Sequence, residues 1–314
     1  MSTFDVRRAS DIEGVPPQEQ WLIEGLWAAE AVGIVGGEPK SCKSFLALDV
    51  AVSVASGTPC LRRFPVRRSG RVLLFAAEDA LHVVRERLAG ICHAAHVPFG
   101  DLDVHLITNP IVRLDVQDDR RKLFETVNLV RPTLLVLDPF VRLHRIDENQ
   151  AAEVAPLLAT LREIQRQCHT AVLLVHHARK GAAHARAGQA LRGSSELHAW
   201  GDSNLYVRRR ADRLALSVEQ RAAPATPDIT IELRQKGDAL ALAVVEQDPG
   251  LEPEDPSVPD RIMQALAASP DPLSLRMLQK RCRVRTATLS AVLQDLIAQR
   301  RVVRTDHGYR LAAA

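Results

Sequence analysis

Aromatic side chains make up only 4% of this 314-residue chain, too few for a platform of rings on which unpaired bases could stack. Cysteine is sparse as well. Five thiols, at positions 42, 60, 92, 168 and 282, are odd in number and form no C-x-x-C pair. That argues against a disulfide frame and a zinc site and implies a reducing compartment. No apolar run approaches the ~20 residues that cross a bilayer. The stretch Met1 to Arg8 has no apolar core of a secretory signal. The expected location is cytoplasmic, with no membrane partner.

What is present is charge, unevenly spread. The whole chain carries +3, but residues 256–314 hold ten Arg or Lys against four Asp or Glu. A basic C-terminal segment implies an acidic partner such as nucleic acid. The length suits one large domain and one small one.

Short apolar runs alternate with helical patterns after an N-terminal arm (1–20) and an edge element around Trp21-Leu22-Ile23. Strands are expected at 31–36, 71–76, 103–107, 133–138 and 170–176, and helices at 43–55, 80–95, 118–130 and 149–168. This alternation predicts an α/β fold, a mostly parallel sheet with helices on both faces. Runs at 203–209, 214–219, 228–234 and 239–246 alternate apolar and polar residues and read as antiparallel strands extending that sheet. The first domain is thus set at 1–247. Residues 248–259 contain four prolines and four acids and read as a linker. Beyond it, at 260–314, helices at 260–268, from a Ser274 cap to about 281, and at about 286–300 precede strands at 302–305 and 308–311. Three helices and a hairpin predict a winged helix.

The chemistry is concentrated in Gly37-Glu38-Pro39-Lys40-Ser41-Cys42-Lys43-Ser44. It fits the phosphate-binding loop G-x-x-x-x-G-K-[ST] except that Cys42 stands at the second glycine. A strand precedes it and a helix follows, as the motif requires. Backbone N–H groups of 38–44 and the helix N-terminus would cradle the phosphates of ATP. Lys43 would reach the β- and γ-phosphates and the Ser44 hydroxyl would ligate Mg²⁺. Cysteine keeps the backbone N–H that the glycine supplies. A helix N-terminus also lowers thiol pKa, which opens a redox-sensing reading of Cys42.

Three further strands end in polar residues where ligands of open α/β sheets sit. Leu134 to Leu137 ends in Asp138, the expected second carboxylate for the Mg²⁺ hydration shell. Val72 to Ala76 leads to Glu78 and Asp79. Glu78 is the better candidate to polarise the attacking water, with Asp79 the alternative or a helix N-cap. Val172 to Val175 leads to His176 and His177, and His177 is the candidate that touches the γ-phosphate. Neighbours on a strand face opposite ways, so the two histidines do not share an ion.

Residues 179–201 are glycine-rich and basic. Lys180, Arg186 and Arg192 there read as contacts to DNA phosphates or to a neighbouring subunit, or as a plain surface loop. Arg208, Arg209 and Arg210 end the next strand. One of the three is the candidate for an arginine finger across a subunit interface, with Arg208 and Arg210 the first choices, and salt bridges or a solvated edge account for the others.

Taken together, the Cys42-containing loop, Ala77-Glu78-Asp79, Leu137-Asp138-Pro139, His176-His177-x-x-Lys180 and Leu191-Arg192-Gly193-Ser194-Ser195 resemble the RecA-type ATPases of the RepA hexameric helicase group, over roughly residues 15–245. The resemblance implies a RecA-like ATPase domain with Lys43 and Ser44 on phosphate and Mg²⁺. It implies Glu78 as catalytic glutamate, Asp138 as the Mg²⁺ carboxylate and His177 as sensor. It also implies a homo-oligomeric ring, usually of six subunits, with DNA in its channel. The expected function is ATP-driven DNA unwinding or translocation in the replication of a mobile element. The alternative is a regulatory ATPase that ATP switches between oligomeric states on DNA. The winged helix lies outside the resemblance. Arg283, Arg285, Thr286 and Thr288 are its expected contacts to DNA, through the third helix.

Overall fold

A computed structural model describes residue 4 and residues 6–177, 195–210, 213–224, 226–237, 239–245, 258–269, 271–282, 284, 286–299, 301–306 and 308–312. Contacts divide the chain into two compact units, 1–246 and 247–314. Among the described residues no helix is long and apolar enough to cross a membrane.

The first unit begins with β1 (Trp21–Ile23), β2 (Trp27–Ala28), β3 (Val32–Gly37), α1 (Lys43–Ser56), β4 (Val72–Ala76), α2 (Leu81–Ala94) and β5 (Val104–Leu106). It continues through α3 (Gln117–Val130), β6 (Leu134–Asp138), α4 (Ala151–Cys168), β7 (Ala171–His177) and α5 (Ser195–Trp200). It closes with β8 (Ser203–Arg210), β9 (Arg213–Gln220), β10 (Ile229–Lys236) and β11 (Ala239–Val244). Nine strands form one sheet in the order β11-β10-β9-β8-β3-β7-β6-β4-β5. From β8 to β5 neighbours are parallel, and from β8 to β11 they are antiparallel.

The sheet is covered on both sides because its central strands are apolar at every position. Val35, Leu74, Val136 and Leu173 pack toward α1 and α2. Their neighbours Ile34, Phe75, Leu137 and Leu174 pack toward α3 and α4. This is the period-two alternation of a strand, and each such side chain contributes about 1.5–3 kcal/mol through burial.

Three details depart from expectation. The element at Trp21 is no edge of the main sheet, because β1 pairs with β2 in a separate ribbon and bridges to Val66 through Ile23. Leu22 and Ile23 are nevertheless buried. The strand expected to be antiparallel at 203–209 lies parallel to β3 on one side and antiparallel to β9 on the other. It is the seam between the two halves. Helix α5 lies inside the segment read as a loop. Leu197 is buried there, and the Trp200 indole donates to the Leu158 carbonyl at 3.0 Å, anchoring α5 on α4.

Helix α1 is apolar almost all round and correspondingly buried. Its one acid, Asp49, is fully enclosed. Arg62 donates to its carboxylate, and the Leu61 N–H does so at 2.8 Å. The same guanidinium donates to the Leu242 carbonyl of β11 at 2.6 Å. Burial pushes the Asp49 carboxyl upward and Arg62 opposes it.

The second unit contains α6 (Val258–Ala267), α7 (Leu275–Cys282), α8 (Thr286–Ala298), β12 (Val302–Thr305) and β13 (Gly308–Leu311). Ile262, Leu278, Leu289 and Leu293 form its core. Ser274 caps α7 by accepting the Met277 N–H at 3.3 Å. Leu273 and Tyr309 exchange two backbone hydrogen bonds of 2.9 Å, seating the start of α7 against β13. A Cβ at position 308 would stand 2.5 Å from the Leu273 carbonyl oxygen; only glycine permits that approach.

Removing Arg62 leaves a carboxylate buried without its cation. Arg62→Ala is expected to cost about 2–4 kcal/mol, and Asp49→Asn added to it to recover part of that loss. Urea unfolding of the two variants checks both.

Candidate active site

Register sets the floor of the site. Gly37 lies beside His177, and Ala76 beside Asp138; Leu137 pairs with Leu174, so β3 and β7 run two residues beyond β6 and β4 at the same side of the sheet. The segments leaving these ends enclose a cavity of about 310 Å³. Residues 40–45 line it, with Glu78, Asp79, Arg87, Asp138 and His177. Lys43, Ser44, Glu78, Asp138 and His177 are therefore brought together from four separate stretches of chain.

The loop from Gly37 to Ser44 owes its path to local geometry. A Cβ on Gly37 would lie 2.3 Å from the Val207 carbonyl oxygen, so β8 admits only glycine there. Lys40 and Cys42 both take the left-handed region, each at φ 63°. That conformation costs an L-residue about 1–2 kcal/mol and glycine almost nothing. The departure from the motif thus has a physical meaning. Cys42 accepts the backbone angle that glycine usually provides, and its carbonyl takes the Leu46 N–H at 3.0 Å to start α1. Its side chain packs against the core. Burial pushes the thiol upward despite nearby Arg209, Lys43 and Arg87. That opposes the lowered pKa which a redox-sensing reading needs.

Charge in the cavity is confined by desolvation. Lys43 is 4% exposed and donates to the Glu38 carbonyl at 2.7 Å. Burial lowers its pKa to about 8, against the pull of Asp138. Asp138 is 9% exposed. Burial raises its pKa to about 6; Ser44 opposes this through a hydrogen bond, while Asp79 and Glu78 add to it. His177 is lowered, first by burial and then by Lys43, so it is neutral at pH 7. Its Nδ1 and the Ser41 Oγ are buried with no hydrogen-bond partner among the described residues.

These features fit a bound nucleotide with Mg²⁺. A curled loop with a buried, unmet hydroxyl and a desolvated lysine suits a polyphosphate. A hydroxyl and a carboxylate already hydrogen-bonded to each other are hard oxygen donors of the kind Mg²⁺ takes.

Other placements qualify the sequence reading. Asp79 does not cap α2. Ala80 occupies the cap position, with no side-chain hydrogen bond, and Asp79 is ion-paired with Arg87. Glu78 accepts from Arg142 Nε at 3.0 Å. Arg208 donates to Ser217 Oγ at 2.7 Å, and Arg210 to Asp228 at 2.8 Å. Arg209, between them, reaches the Lys40 carbonyl at 3.4 Å. Alternation along β8 sends Arg209, and not its neighbours, toward the loop of the same chain. Arg87 and Phe45, stacked 5.1 Å apart in the cavity wall, were not singled out from sequence. No motif joins them, and only the packing of α2 on α1 does. Of the expected DNA contacts, Thr286 and Thr288 are exposed on α8. Lys180, Arg186, Arg192, Arg283 and Arg285 lie outside the described residues.

A family model described as an AAA domain matches residues 2–183. Among solved structures, the RadB recombinase superposes with a TM-score of 0.50 at 16% identity, over 69% of this chain and 92% of that chain. A KaiC-like protein from Pyrococcus horikoshii OT3 gives a TM-score of 0.48 at 15% identity, over 74% of this chain and 96% of that one. The likeness to RadB is one of fold, a RecA-like mixed sheet with helices on both faces.

Two outcomes are expected from this geometry. Cys42→Gly keeps nucleotide affinity within about twofold, whereas Cys42→Val, β-branched at positive φ, loses it; titration with a fluorescent ATP analogue checks both. The raised Asp138 pKa means the folded state holds more protons between about pH 4 and 6, so the cost of its burial is full above pH 6. Asp138→Asn is therefore expected to stabilise the ligand-free protein by about 1–3 kcal/mol at pH 7.5 and not at pH 4, read from thermal melts.

Proposed function

This chain belongs to the AAA domain family, and on that premise we propose that it hydrolyses ATP with Mg²⁺ and couples the reaction to DNA. The observation that carries the reading is the convergence of Lys43, Ser44, Glu78, Asp138 and His177 on one cavity at the C-terminal ends of four parallel strands.

Each group has a part that its surroundings support. The loop N–H groups and Lys43 bind the β- and γ-phosphates, and triphosphate binding returns to Lys43 the counter-charge that burial denies it. Ser44 and Asp138 would hold Mg²⁺, which would neutralise charge on the transferring phosphoryl group. Glu78 orients and polarises the attacking water once it leaves Arg142. Neutral His177, with its unmet Nδ1, contacts the γ-phosphate and reports its loss to the segment after β7.

The finer proposal is a ring-forming helicase or translocase, acting in replication of a mobile element, with a C-terminal winged helix as a DNA-docking module. Arg208 and Arg210 are held by Ser217 and Asp228, turned from the loop that Arg209 touches. An arginine finger drawn from that pair serves a neighbouring subunit's nucleotide, which favours an oligomer, most simply a hexamer. The regulatory alternative shares the chemistry and differs in lacking unwinding.

Lys43→Ala is expected to abolish ATP turnover, since the phosphates lose their cation; unchanged turnover removes the site assignment. Mass photometry with ATP and single-stranded DNA is expected to show a ring, and a tailed duplex to be unwound. Turnover and DNA binding without strand displacement selects the regulatory ATPase.

A further inference from the structure

The C-terminal unit has an unusual charge economy. Arg276, Lys280, Arg281, Arg301, Arg304 and Arg310 are all exposed. None of their side chains makes a hydrogen bond, ion pair or ring contact with any described residue. Among the described residues no ion pair joins Asp271, Asp295 or Asp306 to these cations, and Asp260 has a partner of its own. In the first unit some exposed guanidiniums, such as Arg67, Arg71 and Arg121, are paired with carboxylates. Six unpaired cations on one small unit repel one another and are held for a partner of opposite charge.

Their positions are specific. Arg276 and Lys280 lie one turn apart on α7, with Arg281 beside them around the exposed Met277. Leu278 and Cys282 on the opposite side are buried. Arg310 lies on the hairpin face it shares with the exposed Val303, and Arg304 on the other face opposite Tyr309, so the hairpin presents a cation on each side. The Leu273–Tyr309 hydrogen bonds join the start of α7 directly to β13, so the two groups sit on adjoining elements. Helix α8 is different. Its described exposed residues are Thr286, Thr288, Ala291, Gln294 and Asp295, neutral apart from one acid.

We infer that the surface through which this unit grips nucleic acid is the outer face of α7 together with the β12–β13 hairpin, contacting phosphates, rather than the described exposed residues of α8. Regularly spaced cations on a helix and a ribbon match a polyanion with fixed phosphate spacing. Contacts of this kind position the unit on DNA without reading its sequence. The inference rests on the DNA reading above and changes which element carries it.

The test uses the full-length protein and fluorescence anisotropy with labelled duplex and single-stranded DNA over a salt series. Three variants are compared: Arg276→Ala/Lys280→Ala/Arg281→Ala on α7, Arg304→Ala/Arg310→Ala on the hairpin, and Thr286→Ala/Thr288→Ala on α8. All are surface changes, and retained ATP turnover with an unchanged melting temperature confirms the fold. The α7 and hairpin variants are expected to lose about tenfold or more in affinity, and to flatten the log–log salt slope by roughly 0.9 per phosphate contact removed on a duplex. The α8 variant is expected to stay within about twofold. Cation variants that bind DNA like the wild type overturn the inference and point to an acidic protein as the partner of this face. An α8 variant that loses as much as the others also overturns it. A wild-type protein with no affinity for either DNA removes the DNA reading itself, and the inference with it.

Discussion

The parallel pairing of β3, β4, β6 and β7, which brings their C-terminal ends to one side of the sheet, is the constraint on which the rest of this molecule depends. Parallel pairing fixes each strand against its neighbour, so the residues that follow the strands are delivered to one place without sequence proximity. Glu78, Asp138 and His177 lie tens of residues apart, yet register alone puts them around the Gly37–Ser44 loop. The apolar interior of the sheet holds that register, because a one-residue slip would turn each strand's α1-facing residues toward α4.

At this edge the protein buries charge it cannot neutralise alone. Lys43 is lowered and Asp138 is raised, and both shifts stem first from desolvation. The two do not cancel, since Glu78 and Asp79 add negative charge near Asp138. The cavity is thus stabilised most by a ligand that brings phosphate to the lysine and a cation to the carboxylate. Stability conceded in the ligand-free state becomes binding energy in the filled one.

Much of this was legible in the sequence, because the signals were local. Strands of four or five apolar residues ending in an acid or histidine, and a glycine loop between strand and helix, need no tertiary information. The hairpin at 302–311 was equally plain from Asp306-His307-Gly308. What escaped was set by packing. Whether Asp79 capped α2 or paired with Arg87 depended on how α2 lay on α1. The parallel pairing of β8 depended on which edge of β3 remained open, and its alternating pattern is shared by antiparallel strands. The positive φ of Cys42 is invisible in composition, although its place at the second glycine of the motif marked where to look.

Consider last the bond between Arg62 and the Leu242 carbonyl. It fastens the helix that begins at the phosphate loop to the outermost antiparallel strand, through a guanidinium already committed to Asp49 inside that helix. Helix and strand are thereby clamped at a point remote from the nucleotide cavity. The antiparallel half of the sheet, none of whose described residues lines the cavity, is in this way joined through one buried ion pair to the helix that begins at the phosphate loop.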